Sequence, residues 1–194
     1  MSTIQRPAHL DVMVESDIVT HQSARRGLAA LRIIFGLTFL WAFVDKLLAL
    51  GYHTGVNDQT GAVDRFGDAA WIHGGSPTEG FLKFGVNPDN WFHGIANNIA
   101  GATWADALFM LGLLGIGIAL VTGAGIRVAA ITGGALYIMM WAVSFPLENN
   151  PVLDDHIVGL VALTVFALTL AGDTWGMGKT WAKTRIVRRF PVLR

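Results

Sequence analysis

Four apolar runs, each close to the length that crosses a bilayer, constrain this chain more than any other feature. They cover residues 28–50 (LAALRIIFGLTFLWAFVDKLLAL), 104–122 (WADALFMLGLLGIGIALVT), 126–145 (IRVAAITGGALYIMMWAVSF) and 153–171 (LDDHIVGLVALTVFALTLA). A helix rises about 1.5 Å per residue, so about 20 such residues cross the hydrocarbon core. The expected fold is therefore an all-α membrane protein, a four-transmembrane-helix bundle. The first run lies too far from the N-terminus and is too charged for a signal peptide.

Composition points the same way. Of 194 residues, 53% are hydrophobic and 14% charged, against about 25% charged in an average soluble domain. Mean hydropathy is +0.48. A disordered chain would show the reverse balance, and a soluble domain would need more surface charge. Lys+Arg and Asp+Glu are both 14, so there is no basic excess to attract nucleic acid. Cysteine is absent. That excludes disulfides, thiolate zinc, an iron–sulfur cluster held by this chain, covalent c-type haem and a cysteine persulfide.

Sorting the cations by connection sets a direction. With the N-terminus inside, Arg6, Arg25, Arg26, Arg127, Lys179, Lys183, Arg185, Arg188, Arg189 and Arg194 are inside and only Arg65 and Lys83 are outside. Arg32 and Lys46 fall within the first span. Such a bias predicts a multi-pass protein of the cytoplasmic membrane with both termini cytoplasmic. Residues 1–27 read as a cytoplasmic tail, mobile over its first 24 or so residues. Residues 28–172 read as the membrane domain and 173–194 as a basic cytoplasmic tail. Small residues in the second and third spans (Gly112, Gly115, Gly117, Ala119, Gly133, Gly134, Ala135) predict close helix contacts. The Gly123–Gly125 link predicts a tight antiparallel hairpin.

The connection 51–103 is far longer than a turn requires. It carries Trp71, Phe81, Phe84, Trp91 and Phe92 among many Gly, Asn, Asp and Pro residues. It is expected to be an ordered extracytoplasmic cap, with short helices near Asp64–Trp71 and Trp91–Ile99. Its HGGSPTEG string has the composition of a backbone nest for an anion, or of a plain turn.

Charges inside spans are costly and mark candidate sites. Asp45 and Lys46 lie near the outer end of the first span, with Trp41 one turn below. Asp106 opens the second span, and Asp154, Asp155 and His156 open the fourth. Antiparallel packing is expected to bring these groups to one depth, with Glu148 nearby. Arg32, one turn from the inner end, is expected to snorkel to lipid phosphates. Trp41, Trp141 and Phe145 are candidate walls of an apolar slot. His156 with Asp155 or Asp45 is a candidate proton relay. Carboxylates at a helix start and tryptophans at a membrane interface also have plain structural uses. His53, His73, His93 and His156 match no metal-ligand spacing, so no metal site is expected. Only one span holds a histidine, so no haem b is expected either. No inverted repeat points to a transporter.

Several strings together resemble DoxX/DoxD-like membrane proteins of the actinobacterial type. They are LRIIFGLTFLWAFVDKLLALG, WIHGGSPTEGFL, WADALFMLGLLGIGIALVTGAGIRVAA, MMWAVSFP, NNPVLDDHIV and TWGMGKTWA. The resemblance covers roughly residues 28–194. It implies a four-helix membrane fold with a polar site near the outer surface. It also implies the large subunit of a thiosulfate:quinone oxidoreductase working with a second small subunit. Other relatives are implied to be membrane partners of thiol-stress and superoxide-handling proteins. On this reading quinone is the redox substrate and thiosulfate, a small anion, the donor. Asp45, Lys46, His156 and Asp155 then carry the chemistry, with Lys46 as the anion anchor. The other expectation from the residues is a non-catalytic membrane scaffold that docks a redox or stress-response complex.

Overall fold

A computed structural model describes residues 12–57, 59–147 and 150–194. The chain is helical, and the only strand-type pairing among the described residues is one isolated bridge, Val56 to Val63. The helices are α1 (Glu15–Ile18), α2 (Gln22–Leu48), α3 (His93–Ile99), α4 (Thr103–Thr122), α5 (Ile126–Val143), α6 (Asp155–Leu168), α7 (Gly178–Ala182) and α8 (Arg185–Arg189).

Three of these, α2, α4 and α5, are long and apolar enough to cross a membrane. The fourth apolar helix is shorter than the run 153–171 predicts. α6 has 14 residues, about 21 Å at 1.5 Å per residue, against a core of about 30 Å. Both ends have local causes. The Asp154 carboxylate accepts from the amides of His156 and Ile157 and fixes the start. Leu170, at φ +55°, turns the chain out of the helical region just past the end.

Neighbouring apolar helices run antiparallel. α2 packs on α4, α4 on α5 and α5 on α6, while α2 and α6 touch only slightly. The α2–α4 crossing is close because both faces carry glycine. A Cβ at Gly36 would lie 2.8 Å from the Val121 amide, and one at Gly117 would lie 2.7 Å from Leu40. Backbones that near gain dispersion without needing a hydrophobic drive. Gly112 and Gly115 take no part, since a Cβ at either would meet open space. Gly123 and Gly125, at φ +78° and +77°, make the α4–α5 hairpin.

The core runs between the helices: Phe39, Met110, Leu113, Ile116, Leu120, Ile126, Leu163 and Phe166 are all buried. Aromatics fill the narrow α2–α6 seam, with Phe35 edge-on to Phe166 at 5.7 Å. Outward, Leu37, Leu108, Leu111, Ile131, Val158 and Leu168 stand half-exposed or more. An apolar belt of this kind is stable when a bilayer covers it.

Residues 12–21 and the C-terminal segment meet at one end of the bundle and the long connection lies at the other. Residues 12–21 do not behave as the mobile tail expected of them. Glu15 is 1% exposed, its amide donates to Asp173 Oδ2 at 2.9 Å, and its carboxylate accepts from the Thr174 hydroxyl. Residues 1–11 lie outside the described set. The C-terminal segment is folded too. The Trp181 indole donates to the Leu193 carbonyl at 2.6 Å, and Arg127 donates to the Pro191 carbonyl at 2.9 Å.

Arg32 is the largest fully buried side chain. It does not snorkel. Its guanidinium donates to the Leu120 and Val121 carbonyls at the end of α4, and to the Thr174 and Trp175 carbonyls beyond α6. Last-turn carbonyls have no intrahelical donor, so Arg32 caps α4 from a neighbouring helix.

Candidate functional site at the connection end

The polar groups expected to share one depth are divided among separate tasks. Asp45 is 2% exposed. Its carboxylate accepts from the amides of Tyr52, His53 and Thr54 at 3.4, 3.2 and 3.0 Å. The chain can fold back onto it because Ala49 and Gly51 adopt left-handed conformations, φ +50° and +82°. Consecutive amides aimed at one carboxylate form an anion nest, here filled by the chain's own acid.

Asp106 does the same for α4. It accepts from Ser76 Oγ at 2.8 Å, Thr78 Oγ1 at 2.6 Å and the Thr78 amide at 3.1 Å. The HGGSPTEG string therefore wraps a carboxylate of this chain. The α2–α4 register, Gly36 against Val121 and Gly117 against Leu40, sets Asp106 about six residues nearer the connection end than Asp45, some 9 Å at about 1.5 Å per residue. These two acids are not at one depth.

A third anchor escaped the sequence reading. Asn90 donates to the Ala142 and Phe145 carbonyls at 3.0 and 2.9 Å and accepts from the Phe92 amide at 2.7 Å. It ties the connection to the end of α5. The turn residues NPDN around it were the available signal, but they do not say which carbonyls the amide will meet. Between anchors the connection forms short pieces: a 3-10 turn at Trp71–His73, a π-helical turn at Phe81–Gly85, and α3. The helix expected over Asp64–Trp71 is a run of turns, and the one expected over Trp91–Ile99 begins at His93.

The tightest titratable pair is His156 with Asp154, at 2.6 Å between Nδ1 and Oδ2. The two side chains are 23% and 20% exposed. Asp154, not Asp155 or Asp45, orients the imidazole, because the helix-start acid folds back over the first turn. Asp155 is exposed. The other imidazole nitrogen, Nε2, makes no hydrogen bond with a described residue.

Beneath His156 lies Tyr137, edge-on at 6.1 Å, and Tyr137 in turn meets Phe39 at 5.7 Å. Gly159 makes that possible: a Cβ there would sit 2.5 Å from the Tyr137 ring. Tyr137 was not among the sequence candidates. Its signal was the pairing of a polar-tipped aromatic with a glycine on the facing helix.

The candidate aromatic walls form two separate pairs. Trp141 is edge-on to Phe145 at 4.8 Å and donates its indole N–H to the Val152 carbonyl at 2.8 Å. Trp41, on α2, packs on Tyr52 at 5.0 Å and is 48% exposed. Lys46 is half-buried and makes no ion pair or hydrogen bond with a described residue. Glu148 lies outside the described residues.

The other histidines are dispersed. The His73 ring meets the Gly67 carbonyl at 3.1 Å, the His93 ring lies beside Asn97 at 3.1 Å, and His53 is exposed. Among the described residues no three His, Asp or Glu side chains gather to hold a metal ion.

The local chemistry is thus a histidine held in one orientation by a carboxylate, over a tyrosine, beside apolar surface. A carboxylate on one imidazole nitrogen fixes the tautomer and leaves the other free to exchange a proton. No family model, curated protein or solved structure matches the chain.

Proposed function

We propose that this chain is a membrane oxidoreductase subunit that works at the quinone level, with His156 as the proton-exchanging group. The observation that carries the reading is the 2.6 Å His156–Asp154 contact above Tyr137. A quinone accepts two electrons and two protons, so its site needs an apolar approach and a proton donor at its head. Trp141 and Phe145 supply apolar surface at the same end of α5, and Asp154 holds His156 for the transfer.

The resemblance to DoxX/DoxD-like proteins supports thiosulfate or a related sulfur compound as donor. Two thiosulfate ions join through a new S–S bond to give tetrathionate. The two electrons released, with two protons, convert quinone to hydroquinone. No side chain here carries electrons, so donor and quinone must meet or a second subunit must bridge them. Lys46 is the anion anchor of this reading. The protein lies in the cytoplasmic membrane with both termini cytoplasmic, supported by ten cations on the terminal connections against two on the other side. The connection 51–103 is an ordered cap over the outer end.

The test is quinone reduction by protein reconstituted in nanodiscs, supplied with thiosulfate and decylubiquinone or a menaquinone analogue, with and without co-purifying subunits. Loss of an oriented acid–base group lowers the rate about 10²-fold, so His156→Ala should do so and Asp154→Asn should lower it at least about tenfold. Folded protein inactive with every donor and partner would refute the proposal.

A second reading has its own observation. Asp45, Asp106 and Asn90 are all spent on holding the connection, which presents Trp91 and Phe84 at 95% and 78% exposure. On that reading the chain is an accessory scaffold for a redox or stress-response complex. Trp91→Ala would then abolish recovery of a stoichiometric partner from native membranes, and His156→Ala would leave it unchanged.

A further inference from the structure

The C-terminal segment presents a surface that has no part in the quinone reading. Residues 174–193 carry five cations, Lys179, Lys183, Arg185, Arg188 and Arg189, and no acidic residue. All five are exposed, and none forms an ion pair or side-chain hydrogen bond with a described residue. Large apolar side chains stand among them. Trp175, Met177, Ile186, Phe190 and Val192 are each more than half exposed.

This mixture is fixed in place because the segment is folded. Ala182 and Val187 are buried, and the Trp181 indole holds the Leu193 carbonyl. On α8, Ile186 and Phe190 are four residues apart and share one outward sector. Arg185, Arg188 and Arg189 share the next, while Val187 is turned inward.

Both ends of the segment are pinned at the level where the long helices end. The Met177 amide donates to the carbonyl of Thr122, the last residue of α4, at 2.7 Å. Arg127, in the first turn of α5, donates its side chain to the Pro191 carbonyl and its amide to the Arg194 carbonyl, at 2.9 and 3.2 Å. α4 has 20 residues, about 30 Å at about 1.5 Å per residue, which matches the hydrocarbon core. In a bilayer crossed by α4, the segment therefore runs along the boundary between acyl chains and headgroups. Water at that boundary satisfies the cations and not the apolar side chains, and a neutral lipid surface does the reverse. An anionic lipid surface satisfies both, since the apolar groups enter the acyl boundary while the Lys and Arg stems reach the phosphates.

We propose that residues 175–192 form an interfacial foot that gathers anionic phospholipids around the α4–α5 hairpin. Ile186, Phe190 and Val192 sit in the acyl boundary, and the five cations hold the headgroups beside them. Each Lys or Arg near an anionic leaflet strengthens association by roughly fivefold.

The chain has no cysteine, so Val192→Cys takes a single fluorophore on the full chain in nanodiscs. Phosphatidylcholine discs receive a minor fraction of either phosphatidylglycerol or phosphatidylcholine with doxyl-labelled acyl chains, which quench on contact. Quenching should show phosphatidylglycerol enriched at least about fivefold over phosphatidylcholine, the scale of one such cation. A fluorophore at Ile138→Cys, an exposed position about three turns along α5 from Arg127, should show no enrichment. The K179Q/K183Q/R185Q/R188Q/R189Q variant, altered only at exposed side chains, should abolish it without changing thermal stability. Replacing chloride by inorganic phosphate at matched ionic strength should leave it unchanged. Equal quenching by the two lipids, or an enrichment that survives the variant, overturns the proposal. Quenching by neither lipid would place the segment in water or beneath another protein and overturn it too. Loss of the enrichment in phosphate alone would show a free-phosphate site, with the same consequence.

Discussion

Replacing Arg32 by Met is the sharpest test of how the terminal end is held. Met keeps an unbranched apolar stem and removes all donors. Four carbonyls lose their partner: Leu120 and Val121 on α4, and Thr174 and Trp175 beyond α6. The first pair lies against a side chain with 0% exposure, so water does not replace the guanidinium there. Each buried acceptor left unpaired costs about 1–3 kcal/mol. The second pair adjoins the exposed Trp175 and is rehydrated at little cost. Removing a buried charged donor from its acceptors is a net loss even though the variant no longer desolvates a guanidinium. With two carbonyls left unpaired the loss is at least about 2 kcal/mol, which lowers the folded-to-unfolded ratio by roughly thirtyfold or more. Equilibrium unfolding in mixed micelles, followed by circular dichroism, measures it. Arg32→Lys should recover less than half, because a compact ammonium does not bridge two pairs of carbonyls as a fork does. A change below about 0.5 kcal/mol for Arg32→Met, or full recovery by Arg32→Lys, would refute the account of Arg32 as an interhelical cap.

Three other outcomes follow from the same geometry. Gly159→Ala should cost about 1–3 kcal/mol by overpacking against Tyr137, and tyrosine fluorescence or ring NMR shifts should report the displaced ring. Asp106→Ala should cost about 2–3 kcal/mol, because three donors lose a charged acceptor, and hydrogen exchange should rise over residues 76–80 while α5 and α6 stay protected. Burial raises the Glu15 pKa above its ordinary 4.5, reinforced by Asp173 and opposed by the Thr174 hydrogen bonds and Arg25. The folded state therefore favours protonated Glu15. Docking of residues 12–21 should be tightest below pH 4.5 and weaken as pH rises through the raised value. Limited proteolysis against pH reads this, and Glu15→Gln should flatten the profile.

The long apolar helices were legible in the sequence because a bilayer imposes a length and a hydropathy that few other environments require. The starts and stops were less so. The run 153–171 looks continuous, yet Asp154 and Leu170 confine its helix to 14 residues. Hydropathy does not register a capping carboxylate or a left-handed residue as a boundary. Polar residues within spans were visible as anomalies, but their tasks were not. Asp106 and Arg32 satisfy groups far along the chain, fixed only when the connection and the α4 end arrive, and Asp45 meets amides seven to nine residues on only because the chain turns back through left-handed residues. Asp154 and Asp155 are adjacent and chemically alike, and only the fold-back of the N-cap decided which one holds His156.

What the sequence determined by itself is the environment: too little charge for water, no cysteine chemistry, and helices of membrane length. Tertiary structure decided which charges remain available for chemistry. A carboxylate in an apolar setting must find donors, and backbone amides brought near by folding meet that need first. After those pairings, His156 over Tyr137 and the half-buried Lys46 are among the described polar groups that keep capacity for a ligand.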